Sequence, residues 1–115
     1  MTGYRLKFED VVGGEQPIDI SYTIMALAKF YDEFKRPDYL KKMETAFSWF
    51  LGANHLHQII YNPKTGGCYD GLEELEVNTN QGAESTVSYL MARLTIDKIK
   101  TIVFKKAIIS EDIFI

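Results

Sequence analysis

Apolar positions in the first half of the chain recur with a helical period. Ile20, Ile24, Leu27, Tyr31 and Phe34 follow at steps of four, three, four and three, the spacing that lines up side chains on one face of an α-helix. Ile18, Tyr22, Met25 and Ala28 widen this face, so the helix is expected to be buried on more than one side. Glu15-Gln16-Pro17 opens it, because proline suits the first helical turn, where its missing N–H costs nothing. Asp19 in that turn complements the helix dipole. Arg36-Pro37 stops it, since a residue before proline disfavours the α region. A second helix follows, with Asp38 as N-cap and Leu40, Met43, Phe47 and Phe50 as its stripe. Trp49 and Leu51 lie beside that stripe, and Gly52 or Asn54 closes the helix in a left-handed cap. So short a link predicts an antiparallel αα-hairpin.

The pattern changes outside this hairpin. Residues 1–15 read as irregular, with Gly13-Gly14 breaking any period. Residues 54–80 read as a long connection carrying a small β-hairpin. Its strands are Gln58–Tyr61 and Cys68–Gly71, joined through the turn formers Asn62-Pro63-Lys64-Thr65-Gly66-Gly67. A third helix starts near Gly82, with Val87, Leu90, Met91 and Leu94 as its stripe. A fourth runs from Ile96 or Asp97 to about Ile109, with Ile99, Ile102, Val103 and Ala107 on one face. The tail Ser110–Ile115, with Ile113, Phe114 and Ile115, is expected to dock on a neighbour or fray. The two helix pairs, 18–51 and 82–109, share no residue-level repeat. The fold class is all-α, a single domain over residues 1–115.

Composition narrows the function classes. The chain has 115 residues, 46% apolar and 25% charged, which excludes a disordered tail or a fibre. Thirteen Lys and Arg against 16 Asp and Glu give a net charge of −3, without the basic excess of a nucleic-acid surface. The lone cysteine, Cys68, forms no intrachain disulfide and fits a reducing, cytoplasmic compartment. The N-terminal residues mix Tyr4, Arg5, Lys7, Glu9 and Asp10, so no secretory leader is expected. No apolar run is long enough to span a membrane. Acid collects in the long connection: Asn62 to Glu84 holds one lysine against five acids, a net of −4.

The candidate chemistry lies in that same region. Thr65 to Leu72, followed by Asn78 to Thr86, packs amides, hydroxyls, carboxylates, glycines and Tyr69 together. Polyol recognition needs this mix: many short donors and acceptors, and an aromatic face for the C–H side of a sugar ring. Asn80 to Ser85 leads into a helix N-terminus, whose backbone N–H groups attract polarised oxygens. A plainer reading makes these residues caps, with Glu84 as a capping-box acid. Two of Glu15, Asp19, Asp70 and Glu84 would serve as a general acid and base if their carboxyls stood roughly 5–10 Å apart. His55 and His57 make at most half of a zinc site, and no metal or cofactor is implied. Cys68 lacks a basic activator and reads as a buried structural thiol. Gly66-Gly67 is a turn, since no Gly-Lys-Ser/Thr follows it. Phe47, Trp49 and Phe50 read as core.

Four strings together resemble one family. They are Gly14-Glu15-Gln16-Pro17-Ile18-Asp19, Trp49-Phe50-Leu51-Gly52-Ala53-Asn54, Thr65-Gly66-Gly67-Cys68-Tyr69-Asp70-Gly71-Leu72, and Val77 through Thr86 with its Asn-Gln-Gly-Ala-Glu-Ser-Thr run. Over residues 13–94 their order and spacing are similar to bacterial six-hairpin-like (α/α)-toroid domains that accompany glycosyltransferase modules. The resemblance implies a carbohydrate context and a toroid whose loops at one end face a sugar or glycoside. Residue by residue, it makes Asp70 and Glu84 candidate catalytic groups. Glu15, Gln16, Asp19, Tyr69, Asn80 and Gln81 become candidate substrate-binding groups. A full toroid has about twelve helices, and four are predicted here, so the chain is expected to be a C-terminal part of such a domain. Uncovered apolar helix faces are then expected to self-associate or to meet the remainder of the ring. The rival reading is a non-catalytic helical scaffold that supports an adjacent glycosyltransferase module. An isomerase or epimerase with His55 or His57 as base ranks last.

Overall fold

The structure is a computed structural model that describes residues 14–114, with side chains described through Ile109. The irregular reading falls outside what is described for residues 1–13, and the tail expected to dock or fray is helical in its backbone through Phe114. Three helices form most of the described chain: α1 (Pro17–Phe34), α2 (Pro37–Phe47) and α3 (Ala83–Phe114). Between α2 and α3 lies a two-stranded antiparallel sheet, β1 (Gly71–Leu72) and β2 (Val77–Asn78).

Both prolines act as helix openers. Gln16 and Arg36 are extended N-cap residues, and Pro17 and Pro37 occupy the first turns. Asp38 is therefore not the N-cap expected of it. It lies inside the first turn and accepts a hydrogen bond from Arg36 Nε at 3.2 Å. Helix α1 closes on Lys35 in the left-handed conformation (φ 56°), whose N–H bonds to Tyr31 O at 2.8 Å. This tight link folds α2 back onto α1. Helix α2 ends at Phe47, before the expected close, and consecutive turns carry the chain through Gly52 at φ 113°. Asn54 then bonds through its amide to the carbonyls of Trp49 and Gln58, at 2.9 and 2.8 Å.

The expected third and fourth helices are one. Helix α3 runs unbroken for 32 residues, about 48 Å. No glycine or proline interrupts residues 83–109. Thr95 and Thr101 turn their hydroxyls back onto the carbonyls of Met91 and Asp97, so neither opens the helix. The face of α3 also differs from expectation. Val87, Leu90, Met91 and Leu94 are exposed, and Ser85, Ser88, Tyr89, Ala92 and Ile96 turn inward. Tyr89 accounts for the choice. Its ring stacks on Tyr61 (5.3 Å, 16°) and Phe47 (5.9 Å, 25°) and meets Phe50 edge-on (5.2 Å, 69°). One buried aromatic in such contacts outweighs any single aliphatic left in water.

The core joins α1, α2, the connection and α3 through Ile24, Met43, Trp49, Phe50, Ile60, Cys68, Leu72, Tyr89, Ala92 and Ile96. The hairpin expected of 58–61 and 68–71 is reduced to one bridge, Tyr61 with Cys68. The ladder sits one turn later, with Gly71 opposite Asn78 and Leu72 opposite Val77. Leu72 also bridges Glu15 on its other side, which ties the entry to α1 onto the same short strand. No described helix is long and apolar enough to cross a membrane.

Candidate functional site

Two contacts draw the polar segments to one end of the molecule. Glu15 exchanges both backbone hydrogen bonds with Leu72, at 3.1 and 2.8 Å. Asp70 accepts the Gly82 N–H on Oδ1 at 2.8 Å. The N-termini of α1 and α3 therefore both sit beside β1. The Asp70 N–H itself donates to Asn80 O at 2.7 Å and to Asn78 O at 3.1 Å. The half-buried Asp70 thus stitches the 78–82 segment onto the start of the strand.

Asp70 caps α3 from a distance. Gly82 directly precedes the helix, and its carbonyl accepts the Thr86 N–H at 3.1 Å. A carboxylate on the first free N–H satisfies a donor and places negative charge at the positive end of the helix dipole. The plainer capping role attached to Glu84 by sequence is therefore performed by Asp70. Glu84 is exposed in the first turn and makes no side-chain hydrogen bond among the described residues. Glycine at 82 leaves room for this approach, since a Cβ there would stand 2.9 Å from Asp70 Oδ1 and make the carboxylate shift.

The other candidates divide in the same manner. Glu15 Oε1 accepts the indole N–H of Trp49 at 3.0 Å, so this half-buried acid serves packing. Gln81 Oε1 accepts from the Thr65 hydroxyl at 2.7 Å, and that hydroxyl also accepts the Gly67 N–H at 3.1 Å. Tyr69 is half-buried against the core, and its N–H donates to Ile60 O at 2.8 Å. Gln16, Asp19 and Asn80 are exposed, and no described hydrogen bond engages their side-chain polar atoms; the Asn80 backbone N–H donates to Asn78 Oδ1 at 3.2 Å.

The histidines and the cysteine have local tasks. His55 Nε2 lies 2.8 Å from Glu73 O and 3.1 Å from Glu74 O. Two carbonyl acceptors require this nitrogen to carry the proton, and the bond fastens the 54–57 turn to the β1–β2 turn. His57 is exposed at φ 53°. Among the described residues, no group of three or more His, Cys, Asp or Glu is placed to hold a metal ion. Cys68 is fully buried, with Sγ 3.5 Å from Ile60 O. Burial, and then the negative charge of Asp70, push its thiol up to about 12. Thiolate chemistry at neutral pH is thereby disfavoured.

Two roles were missed by sequence reading. Thr86 Oγ1 accepts the Cys68 N–H at 3.1 Å, locking α3 to the connection; its place beside Glu84-Ser85 was the available signal. The Trp49–Glu15 bond spans 34 positions, and no local pattern announces it. Two cavities of about 430 Å³ are lined by described residues, one between α2 and α3 (Leu40, Met43, Ile96, Ile99, Val103, Phe104) and one between α1 and α3. Both lie along the middle of α3 rather than at its polar N-terminal end. No protein-family model matches the chain, and no curated protein matches it.

Proposed function

We propose that this chain is part of a carbohydrate-active helical domain of the (α/α)-toroid type, and that its polar end binds a sugar or glycoside. One observation carries the reading. The Glu15–Leu72 bridge and the Asp70–Gly82 bond bring three polar segments, distant in sequence, to the same end of the helices. The resemblance of those segments to toroid domains beside glycosyltransferases supplies the ligand class. In this reading Gln16, Asp19, Asn80 and Glu84 offer unengaged donors and acceptors, and Gln81 and Tyr69 border them. Glu84 and the second oxygen of Asp70 are the carboxyl groups available for acid–base work on a glycosidic bond.

A second reading is favoured by what Asp70 already does. Its bond to Gly82 is a sufficient reason for an acid at that position. The domain would then be a non-catalytic scaffold for an adjacent glycosyltransferase module. Saturation-transfer NMR against monosaccharides, disaccharides and nucleotide sugars tests the main reading. Saturation of sugar protons is expected with the wild-type chain and should weaken in Asn80→Ala and Glu84→Gln. Signals absent for every sugar, from a chain whose circular dichroism is helical, would sink the carbohydrate reading. Binding that survives both substitutions would displace it from this end.

A further inference from the structure

We propose that α3 pairs antiparallel with α3 of a second copy of this chain, through the stripe opposite the one that faces the core. This inference does not rest on the carbohydrate reading and competes with it for Glu84. The stripe comprises Glu84, Val87, Met91, Leu94, Lys98, Ile102, Lys105 and Ile109, at steps of three and four. All eight side chains are exposed. Leu94 is 65% exposed and Val87 52%, on a helix whose other face is already in the core. A helix apolar on both sides has two partners, and α1 borders the exposed stripe only at Lys98 and Ile102, across the cavity between α1 and α3.

Charge decides what the second partner is. Residues 70–84 hold five acids and no basic residue, and Asp70 fixes that acidic connection to the N-terminal end of α3. Residues 93–109 hold five basic side chains against Asp97 alone; Glu111 and Asp112 follow and temper the excess without reversing it. Two of the five are engaged within the chain, Lys100 with Glu44 at 3.1 Å and Arg93 with Asp97 at 3.9 Å. Lys98, Lys105 and Lys106 have no ion-pair partner among the described residues. One end of the stripe is acidic, the other is basic, and the apolar residues lie between them.

Such a surface is complementary to itself only when reversed. A two-fold axis near Leu94 and Lys98 lays Leu94 beside its symmetry mate and against the aliphatic stem of the partner's Lys98, and sets Met91 against the partner's Ile102. Glu84 and the acidic connection then lie beside Lys105 and Lys106 of the partner. Each charged end is within roughly 20 Å of the axis along the helix, so both meetings occur at once. A parallel pairing would put acid against acid and base against base. Opposed charge sets this register, and the apolar centre supplies the affinity.

Sedimentation and light scattering of the 115-residue chain test the proposal. Twice the 13.2 kDa chain mass is expected at tens of micromolar. Leu94→Asp should give a monomer with unchanged helical circular dichroism. Glu84→Lys and Lys105→Glu should each weaken self-association by about tenfold in Kd at low salt, and mixing the two variants should restore it, because the mixed dimer alone pairs opposite charges at both ends. A monomeric wild-type chain at hundreds of micromolar would overturn the proposal. So would a dimer that survives Leu94→Asp, which would place the contact at the α2–α3 cavity, or charge variants that show no mutual rescue.

Discussion

Asp70 is where the structural and catalytic readings can be separated by measurement. Its Oδ1 is 2.8 Å from the Gly82 nitrogen, at the head of a helix that supplies Tyr89, Ala92 and Ile96 to the core. Asp70→Ala removes an N-cap acceptor, worth about 1 kcal/mol, and a favourable charge at the helix dipole, worth about 0.5 kcal/mol. The expected cost is about 1.5 kcal/mol, or roughly 6–10 °C in Tm for a domain of this size. Asp70→Asn keeps an oxygen acceptor and loses only the charge, so it should cost about 0.5 kcal/mol. Gly82→Ala attacks the same contact from the other side. Its Cβ would stand 2.9 Å from Oδ1 and push the carboxylate away, at a cost of about 1 kcal/mol or more. Urea unfolding followed by circular dichroism gives all three values. Because the substitutions break one bond, Gly82→Ala should cost less in the Asp70→Ala background than alone. Equal costs in both backgrounds, or an Asp70→Ala chain as stable as wild type, would refute the capping argument.

Two further predictions concern buried or half-buried groups. Cys68 holds its thiol raised from an ordinary 9.0 to about 12, chiefly by burial. The protonated form is the one the fold favours, so this stabilisation is intact below about pH 9 and is lost as pH rises from there towards 12. Urea stability should fall between pH 8 and pH 10 more steeply for wild type than for Cys68→Ala, and a thiol reagent at pH 8 should react only on unfolding. Equal slopes, or rapid reaction with the folded chain, would contradict this. Glu15→Ala should cost about 1.5 kcal/mol, the loss of a charge-assisted bond to a buried indole. Trp49 is the only tryptophan, so its emission should shift as well, and an unchanged spectrum would argue against the bond.

The legible part of the fold is the part set by local rules. Pro17 and Pro37 mark helix starts because proline fits only there, and the i, i+3, i+4 apolar steps of α1 and α2 name Ile24 and Met43, which are buried, but also Phe34, which with Tyr22 is exposed. Reading failed on α3 for two reasons. A boundary at Ile96–Asp97 has no helix-breaking residue to make it. Hydropathy also points the more hydrophobic stripe inward, and the structure does not follow it. The inward stripe is Ser85, Ser88, Tyr89, Ala92 and Ile96, which hydropathy ranks below Val87, Leu90, Met91 and Leu94. What selects it is the ring packing of Tyr89 with Tyr61, Phe47 and Phe50, and the bond from Cys68 to Thr86. Those are contacts between distant positions, and periodicity carries no information about them. The hairpin was displaced for a related reason: β1 pairs with Glu15 as well as with Val77, and a two-sided partner outcompetes the local turn.

The candidate site divides along the same boundary, and that division yields a prediction. The resemblance makes Glu15, Asp70 and Gln81 candidates for a saccharide site, yet each is occupied: by Trp49, by Gly82 and by Thr65. A group already bonded within the fold must give up that bond to serve a ligand, which offsets most of the gain. Gln16, Asp19, Asn80 and Glu84 are exposed and carry no such debt in the described hydrogen bonds. If the polar end binds a sugar, Gln16→Ala and Asn80→Ala should weaken saturation transfer while leaving urea stability within about 0.5 kcal/mol of wild type. Glu15→Ala and Asp70→Ala should lower stability first and affect binding through it. The reverse pattern, with stable Asp70→Asn protein that no longer binds and Asn80→Ala protein that binds normally, would show the capping carboxylate itself contacting the ligand. The distinction drawn between occupied and unoccupied groups would then fail.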